Sequence, residues 1–282
     1  MERKYNSFIL LFLLCLFILV FKYNPLIRDT VIYSCDLWFN NLVPFMFVTY
    51  LLVDLLLNYG IGDIFYRVFK SNVPILFIIS MLLGTPANAK YVSEFYKNGY
   101  ISEDSANWLL LFAYSPNPLF VFGIVPKYEM GVVVLLVLYL TNFLIAFFSI
   151  KYIRMNKCNQ KKFENKSFTK CIEESIYKSS KILLLILGII IIYAIIIKFM
   201  DLFFPENFFI LKIILEITNG INIIVNSNPD MYKWILFAVS FGGLSIHTQV
   251  KSILSDTNLS YSHFLLGRLI ASLISLLIII VL

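Results

Sequence analysis

The chain has 282 residues, of which 60% are apolar and only 14% charged, with a formal net charge of +6 and a mean hydropathy of +0.83. These values lie far from those of a soluble globular domain and point to an integral membrane protein in a lipid bilayer. The excess of Lys and Arg sits in one short loop rather than along a folded face, so it reads as membrane topology and excludes nucleic acid as the partner.

The first apolar block, Phe8 to Phe21, follows Arg3 and Lys4 and leads into Lys22-Tyr23-Asn24-Pro25 without a small-residue cleavage site. It is read as a retained helix with its N-terminus in the cytoplasm. A second helix, Leu37 to Leu57, returns the chain. The next apolar run, Val73 to Leu83, is about 11 residues or about 16 Å as a helix, half of a hydrocarbon core about 30 Å thick. It ends in Gly84-Thr85-Pro86-Ala87-Asn88-Ala89-Lys90, which predicts a re-entrant hairpin over residues 72–97. A straight crossing there would put the loop Lys151 to Lys170, with seven Lys/Arg and one acid (Glu164), on the outside, against the positive-inside tendency.

The block Trp108 to Val125 is interrupted at Ser115-Pro116-Asn117-Pro118, where two residues without amide hydrogens predict a break. Met130 to Ile150 then descends to the basic loop, and Ile182 to Ile197 ascends to an outer turn with Asp201 and Glu206. Phe208 to Val225 reads as one apolar helix carrying Lys212, Glu216 and Asn219 as a stripe. Trp234 to Phe241 is again too short to cross and runs into Gly242-Gly243-Leu244-Ser245-Ile246-His247-Thr248-Gln249-Val250-Lys251, read as a second hairpin over residues 230–257. A last crossing from His263 places the C-terminus in the cytoplasm, with Lys251 and Arg268 as interfacial anchors. Cys15, Cys35, Cys158 and Cys171 lack metal-ligand spacing and are expected as free thiols.

Each half thus has a crossing helix, a half-length run, a Gly-led polar cluster and another crossing. Superposing Gly84 on Gly242 also pairs Val92 with Val250 and Ser102 with Ser260. The expected fold is an all-α polytopic membrane protein with an inverted-repeat, transporter-like architecture, broken helices, about seven spanning helices and two opposed re-entrant hairpins. Its parts are an N-terminal helix and loop (1–30), a first repeat (31–125), a linking helix (126–152), the basic cytoplasmic loop (153–177) and an inverted second repeat (178–282).

Polar groups held inside a membrane mark sites. The candidates for a small polar solute or an ion are Thr85, Asn88, Lys90, Ser115, Asn117, Glu216, Asn219, Ser245, His247 and Gln249. Glu216 is the most expensive of them to bury, and intramembrane acids are proton or cation sites by default. A structural alternative stands beside each: Asn88 and Lys90 as cap and interfacial lysine, Ser115 and Asn117 as parts of a proline kink, Glu216 paired with Lys212, His247 as a satisfied core histidine. No metal site is expected, and no cofactor beyond a coupling Na+ or H+. HExxH, a phosphate-binding glycine loop and paired membrane aspartates are all missing, so an enzyme is not expected.

Pro44-Phe45, Gly84 to Lys90, Ser115 to Gly123, Leu215-Glu216-Ile217-Thr218-Asn219-Gly220 and Phe241 to Val250, taken in order, resemble the YlbJ family of sporulation integral membrane proteins and its relatives with nucleoside-recognition, or Gate, domains. The likeness covers about Asp36 to Leu282. It implies a role in making the spore envelope or cortex, and Gate domains look like parts of nucleoside carriers whose hairpin tips hold solute and cation. The combined expectation is a transporter or channel for a small polar, nucleoside-like solute, with a non-transporting envelope scaffold as the alternative and homo-oligomerisation left open.

Overall fold

The computed structural model describes residues 7–112, 114–149, 167–203, 209–226 and 233–281, and every regular element among them is helical. Most of the basic loop, Cys158 and Glu206 lie outside the described residues. Among the described residues, four helices are long and apolar enough to cross a membrane: Asn24–Asn58, Tyr128–Ser149, Phe168–Phe203 and Tyr261–Ile280.

α1 (Ser7–Lys22) is followed after Tyr23 by a continuous rod of α2 (Asn24–Leu37), a π-helical turn (Trp38–Leu42) and α3 (Val43–Asn58). The rod therefore begins well before the expected start at Leu37. Pro44 denies a donor to the carbonyl four residues back, and the wider π turn just before it absorbs the misfit without ending the helix. α10 (Phe168–Phe203) runs beside this rod; its 36 residues span about 54 Å, more than a hydrocarbon core. Trp38 Nε1 donates to the Leu183 carbonyl at 3.0 Å, and Asn58 Nδ2 to Ser175 Oγ at 3.5 Å.

Short helices fill the space between the long ones. α4 (Ile61–Phe69) connects the rod to α5 (Val73–Leu83), which packs against α6 (Ala87–Lys97) across the turn Gly84-Thr85-Pro86. α7 (Glu103–Phe112) and α8 (Pro118–Ile124) are separated by a non-helical stretch and lie in succession along α9 (Tyr128–Ser149). The proline-rich interruption read from the sequence is thus a true break.

The segment expected as a single helix over 208–225 is two. α11 (Phe209–Leu215) stops at Glu216, whose backbone is extended (φ −145°, ψ 121°), and α12 (Ile217–Val225) folds back on α11. A β-carbon on Gly220 would lie only 2.7 Å from Ile213 Cα, a proximity that no continuous helix allows seven residues apart. The expected stripe of Lys212, Glu216 and Asn219 therefore does not exist: Lys212 pairs with Asp201 at the end of α10. α13 (Lys233–Phe241) and α14 (Gly243–Leu254) meet at Gly242 with few contacts to each other, and α15 (Tyr261–Val281) closes the chain.

α15 runs parallel to α7. Ser260 N–H donates to Asn107 Oδ1 at 2.7 Å, Trp108 packs on His263, and Gly267 meets the backbone of Leu111. The outer faces carry rows of exposed leucines, such as Leu266, Leu269, Leu273 and Leu277 on α15 and Leu136, Leu140 and Leu144 on α9. Stripes of this kind are costly against water and at home against lipid.

Candidate functional site

The helix interruptions converge. Gly84 has a positive φ (74°), and a β-carbon there would collide with the backbone of Asn117, so the α5–α6 turn rests directly on the α7–α8 break. On the other side, a β-carbon on Gly243 would sit 3.1 Å from Ile217 N, so the α13–α14 break rests on the α11–α12 turn. Tyr114 joins the two sets by donating its hydroxyl to the Val239 carbonyl at 2.9 Å.

Two of the four restarts are capped by side chains on the same plan. Asn117 Oδ1 accepts from Leu119 N (2.9 Å) and Phe120 N (3.4 Å), opening α8. Glu216 accepts from Thr218 N (3.1 Å) and Asn219 N (2.7 Å), opening α12. These bonds satisfy donors that a helix start leaves free. The Glu216 side chain is 1% exposed, and its acidic charge sits at the end of α12 where the helix dipole favours it.

A cavity of about 40 Å³ lies at the convergence, lined among others by Thr85, Tyr114, Asn117, Glu216, Ser245 and Gln249, with Met46, Phe120, Ile186 and Ile190 as its apolar walls. Asn117 Nδ2 and Ser245 Oγ are buried without a hydrogen-bond partner, while the Thr85 side chain pairs with the Tyr114 hydroxyl. Native interiors leave few such atoms, and each calls for a water, an ion or a ligand. The space suffices for a few waters or a single dehydrated cation, since one water needs about 10–15 Å³.

No family model matches the sequence, and no solved structure matches it. The chain is similar to the sporulation integral membrane protein YlbJ of Bacillus subtilis (strain 168), 22% identical over 294 residues that take in 83% of this chain and 72% of that protein. This chain is an integral membrane protein similar to YlbJ.

Of the ten candidate residues, Thr85, Asn117, Glu216, Ser245 and Gln249 line one cavity. Ser115 is buried beside it and donates to the Pro116 carbonyl at 3.1 Å. Asn88 is buried at the start of α6, its Oδ1 accepting from Ala89 N at 2.7 Å. Asn219 is hydrogen-bonded through its side chain to Glu216 and lines a separate cavity on the far side of α12. His247 is held between Tyr261 Oη (2.6 Å) and the Phe241 carbonyl (3.1 Å) and is flanked by the Phe241 and Phe264 rings, the surroundings of a structural histidine.

Lys90 belongs to a different cluster. Its Nζ lies 3.9 Å from both Asp54 Oδ1 and Glu94 Oε1, while Lys178 Nζ lies 3.6 Å from Asp54 Oδ2 and 3.9 Å from Glu94 Oε2. Tyr91 Oη donates to Asp54 at 2.8 Å. The cluster joins α3, α6 and α10. Asp54 is 2% exposed, yet nothing in the run Leu51-Leu52-Val53-Asp54-Leu55-Leu56-Leu57 marks it except one acid in an apolar helix, which is itself a site signal.

Arg268 corrects an expectation more sharply. Read as an interfacial anchor, it is fully buried, with its guanidinium 3.4 Å from the centre of the Tyr114 ring. Nη1 donates to the Ser240 carbonyl (3.2 Å) and Nη2 to Asn142 Oδ1 (3.3 Å), while Asn142 Nδ2 donates to the Tyr114 carbonyl. Arg268 thus braces Tyr114, at the first break, against Ser240, just before the second. Close packing of α15 on α7 at Gly267 draws the next residue inward, an effect that hydropathy alone does not register.

Proposed function

We propose that this chain is a multi-pass carrier or channel for a small polar solute, acting in formation of the spore envelope or cortex, as the name of its Bacillus relative suggests. The reading is carried by one observation: two orphaned polar atoms, of Asn117 and Ser245, and the Glu216 carboxylate line a single cavity where the helix interruptions meet. Broken helices that meet around a polar cavity in the membrane are how secondary transporters build their sites. In this reading Thr85, Asn117, Glu216, Ser245 and Gln249 form the solute or ion site, and Glu216 holds the coupling Na+ or H+. The protein carries out no enzymatic step.

The architecture proposed is two inverted repeats, each a re-entrant hairpin followed by a broken crossing helix. α5–α6 is the first hairpin and α7–α8 the first broken helix. The second hairpin moves from the expected 230–257 to α11–α12, supported by the close approach of Gly220 to Ile213; α13–α14 becomes the second broken crossing. With the N-terminus and the basic loop cytoplasmic, the parallel course of α15 and α7 favours a C-terminus on the opposite side, in place of the cytoplasmic one expected from the sequence.

The size of the cavity favours a second reading. At about 40 Å³ it falls well short of the roughly 300–1,000 Å³ of small-molecule pockets, so the carrier reading requires one repeat to move against the other. A scaffold that retains the fold and transports nothing requires no such motion. Uptake of labelled uridine and N-acetylglucosamine into proteoliposomes separates the two. Removing a charged hydrogen-bond partner costs about 1.5–3 kcal/mol, so Glu216→Gln should slow uptake about tenfold or more, and Ser245→Ala should slow it less. Absence of flux in the wild type selects the scaffold; equal flux in all three proteins removes the site assignment.

A further inference from the structure

A second cavity, of about 680 Å³, opens between α2, α10 and α12, at the end of the molecule away from Ser149 and Phe168. Its volume lies within the range of small-molecule sites, unlike that of the inner cavity. The wall formed by α12 presents Asn219, Asn222 and Asn226, spaced i, i+3 and i+7 and therefore on one face. The rest of α12 is apolar apart from Thr218, and a polar stripe on such a helix faces protein or water rather than lipid.

The groups on this wall state what fits it. Each primary amide offers both donors and an acceptor; Asn219 shares its side chain with Glu216 and Asn222 Nδ2 is engaged by Tyr33 Oη at 3.0 Å, which leaves the Asn222 carbonyl oxygen and the Asn226 amide available. Of the charged groups lining the cavity, Asp201 is taken by Lys212. Asp29 and Lys198 remain, one of each sign, and a charged ligand would leave one of them opposed by a like charge. Tyr33, Ile197 and Ile223 add apolar surface for the face of a ring.

We propose that this cavity is a recognition site for an uncharged, ring-bearing solute rich in hydroxyl or amide groups. It requires no transport and lies apart from the inner cavity, to which it is joined through α12: Glu216, which closes the inner cavity, also holds the backbone N–H of Asn219.

The test is direct binding to the full chain in lipid nanodiscs. Uridine and N-acetylglucosamine serve as neutral probes, with glucosamine and glucuronate as a cationic and an anionic ring. Saturable binding of at least one neutral probe, tighter than either charged one, is expected. Asn222→Leu combined with Asn226→Leu should weaken it about tenfold or more, equivalent to about 1.4 kcal/mol, while Ser245→Ala leaves it unchanged. Asp29→Asn, an exposed substitution that spares the packing, should raise glucuronate affinity relative to N-acetylglucosamine. No saturable binding of either neutral probe, or binding indifferent to both sets of substitutions in this cavity, overturns the proposal. Binding lost with Ser245→Ala alone also overturns it and assigns the ligand to the inner cavity, leaving the carrier reading intact.

Discussion

At the scale of single residues, Gly84 shows how tightly the interruptions are packed. It must adopt a positive φ, and its missing side chain lets the Asn117 backbone approach. Gly99 shares the positive φ (74°) but has open space around it, so the pair separates the two effects. Gly99→Ala should cost about 1–2 kcal/mol, the penalty for a left-handed alanine. Gly84→Ala should cost more, by the additional 1–3 kcal/mol or so of forced overpacking. Thermal unfolding of the two variants in detergent checks this, and equal losses would mean that the contact with Asn117 carries no weight. The Gly84 turn and the Asn117 break were both legible in the sequence, because glycine and proline act on their own backbone. Glu216 was legible as a costly acid but not as a helix terminus: nothing in Ile213-Ile214-Leu215-Glu216-Ile217 breaks a helix locally, and the extended backbone there is set by what α12 packs against.

At the scale of elements, the Asp54, Lys90, Glu94 and Lys178 cluster fastens α6 to α3 and α10. Its nitrogen–oxygen separations of 3.6–3.9 Å exceed a direct hydrogen bond and suit bridging water. The Lys90 side chain is 12% exposed and that of Lys178 38%, so the Asp54–Lys90 attraction is the less screened of the two. A double-mutant cycle on unfolding free energy with Asp54→Asn and Lys90→Met should give a coupling of about 0.5–3 kcal/mol. The cycle with Lys178→Met should give less. Additivity in the Lys90 cycle would reduce the cluster to a chance proximity. Sequence placed Lys90 with the solute residues because it follows Asn88 closely; two positions along a helix turn a side chain to another face, and α6 turns this one toward α3.

At the scale of the whole molecule, the arrangement of ends is testable without any solute. In a cysteine-free background, Asn98→Cys and Ser262→Cys, both exposed, should react with an impermeant maleimide from the side of the basic loop. Asn226→Cys should react from the opposite side. Labelling of Ser262→Cys together with Asn226→Cys from one side would restore the hairpin first expected over 230–257 and return the C-terminus to the cytoplasm.

The sequence by itself determined that the chain is a helical membrane protein, where its backbone is interrupted by glycine and proline, and its similarity to YlbJ, since hydropathy, local backbone chemistry and ordered motifs are all written along one dimension. Only the tertiary structure decided which pairs of short helices fold back, that Arg268 is buried while Lys90 turns away from the cavity, and that Thr85, Asn117, Glu216 and Ser245 surround one space. Those outcomes depend on contacts between residues distant in the chain, and the energy of a polar group inside a membrane is set by the partners those contacts supply.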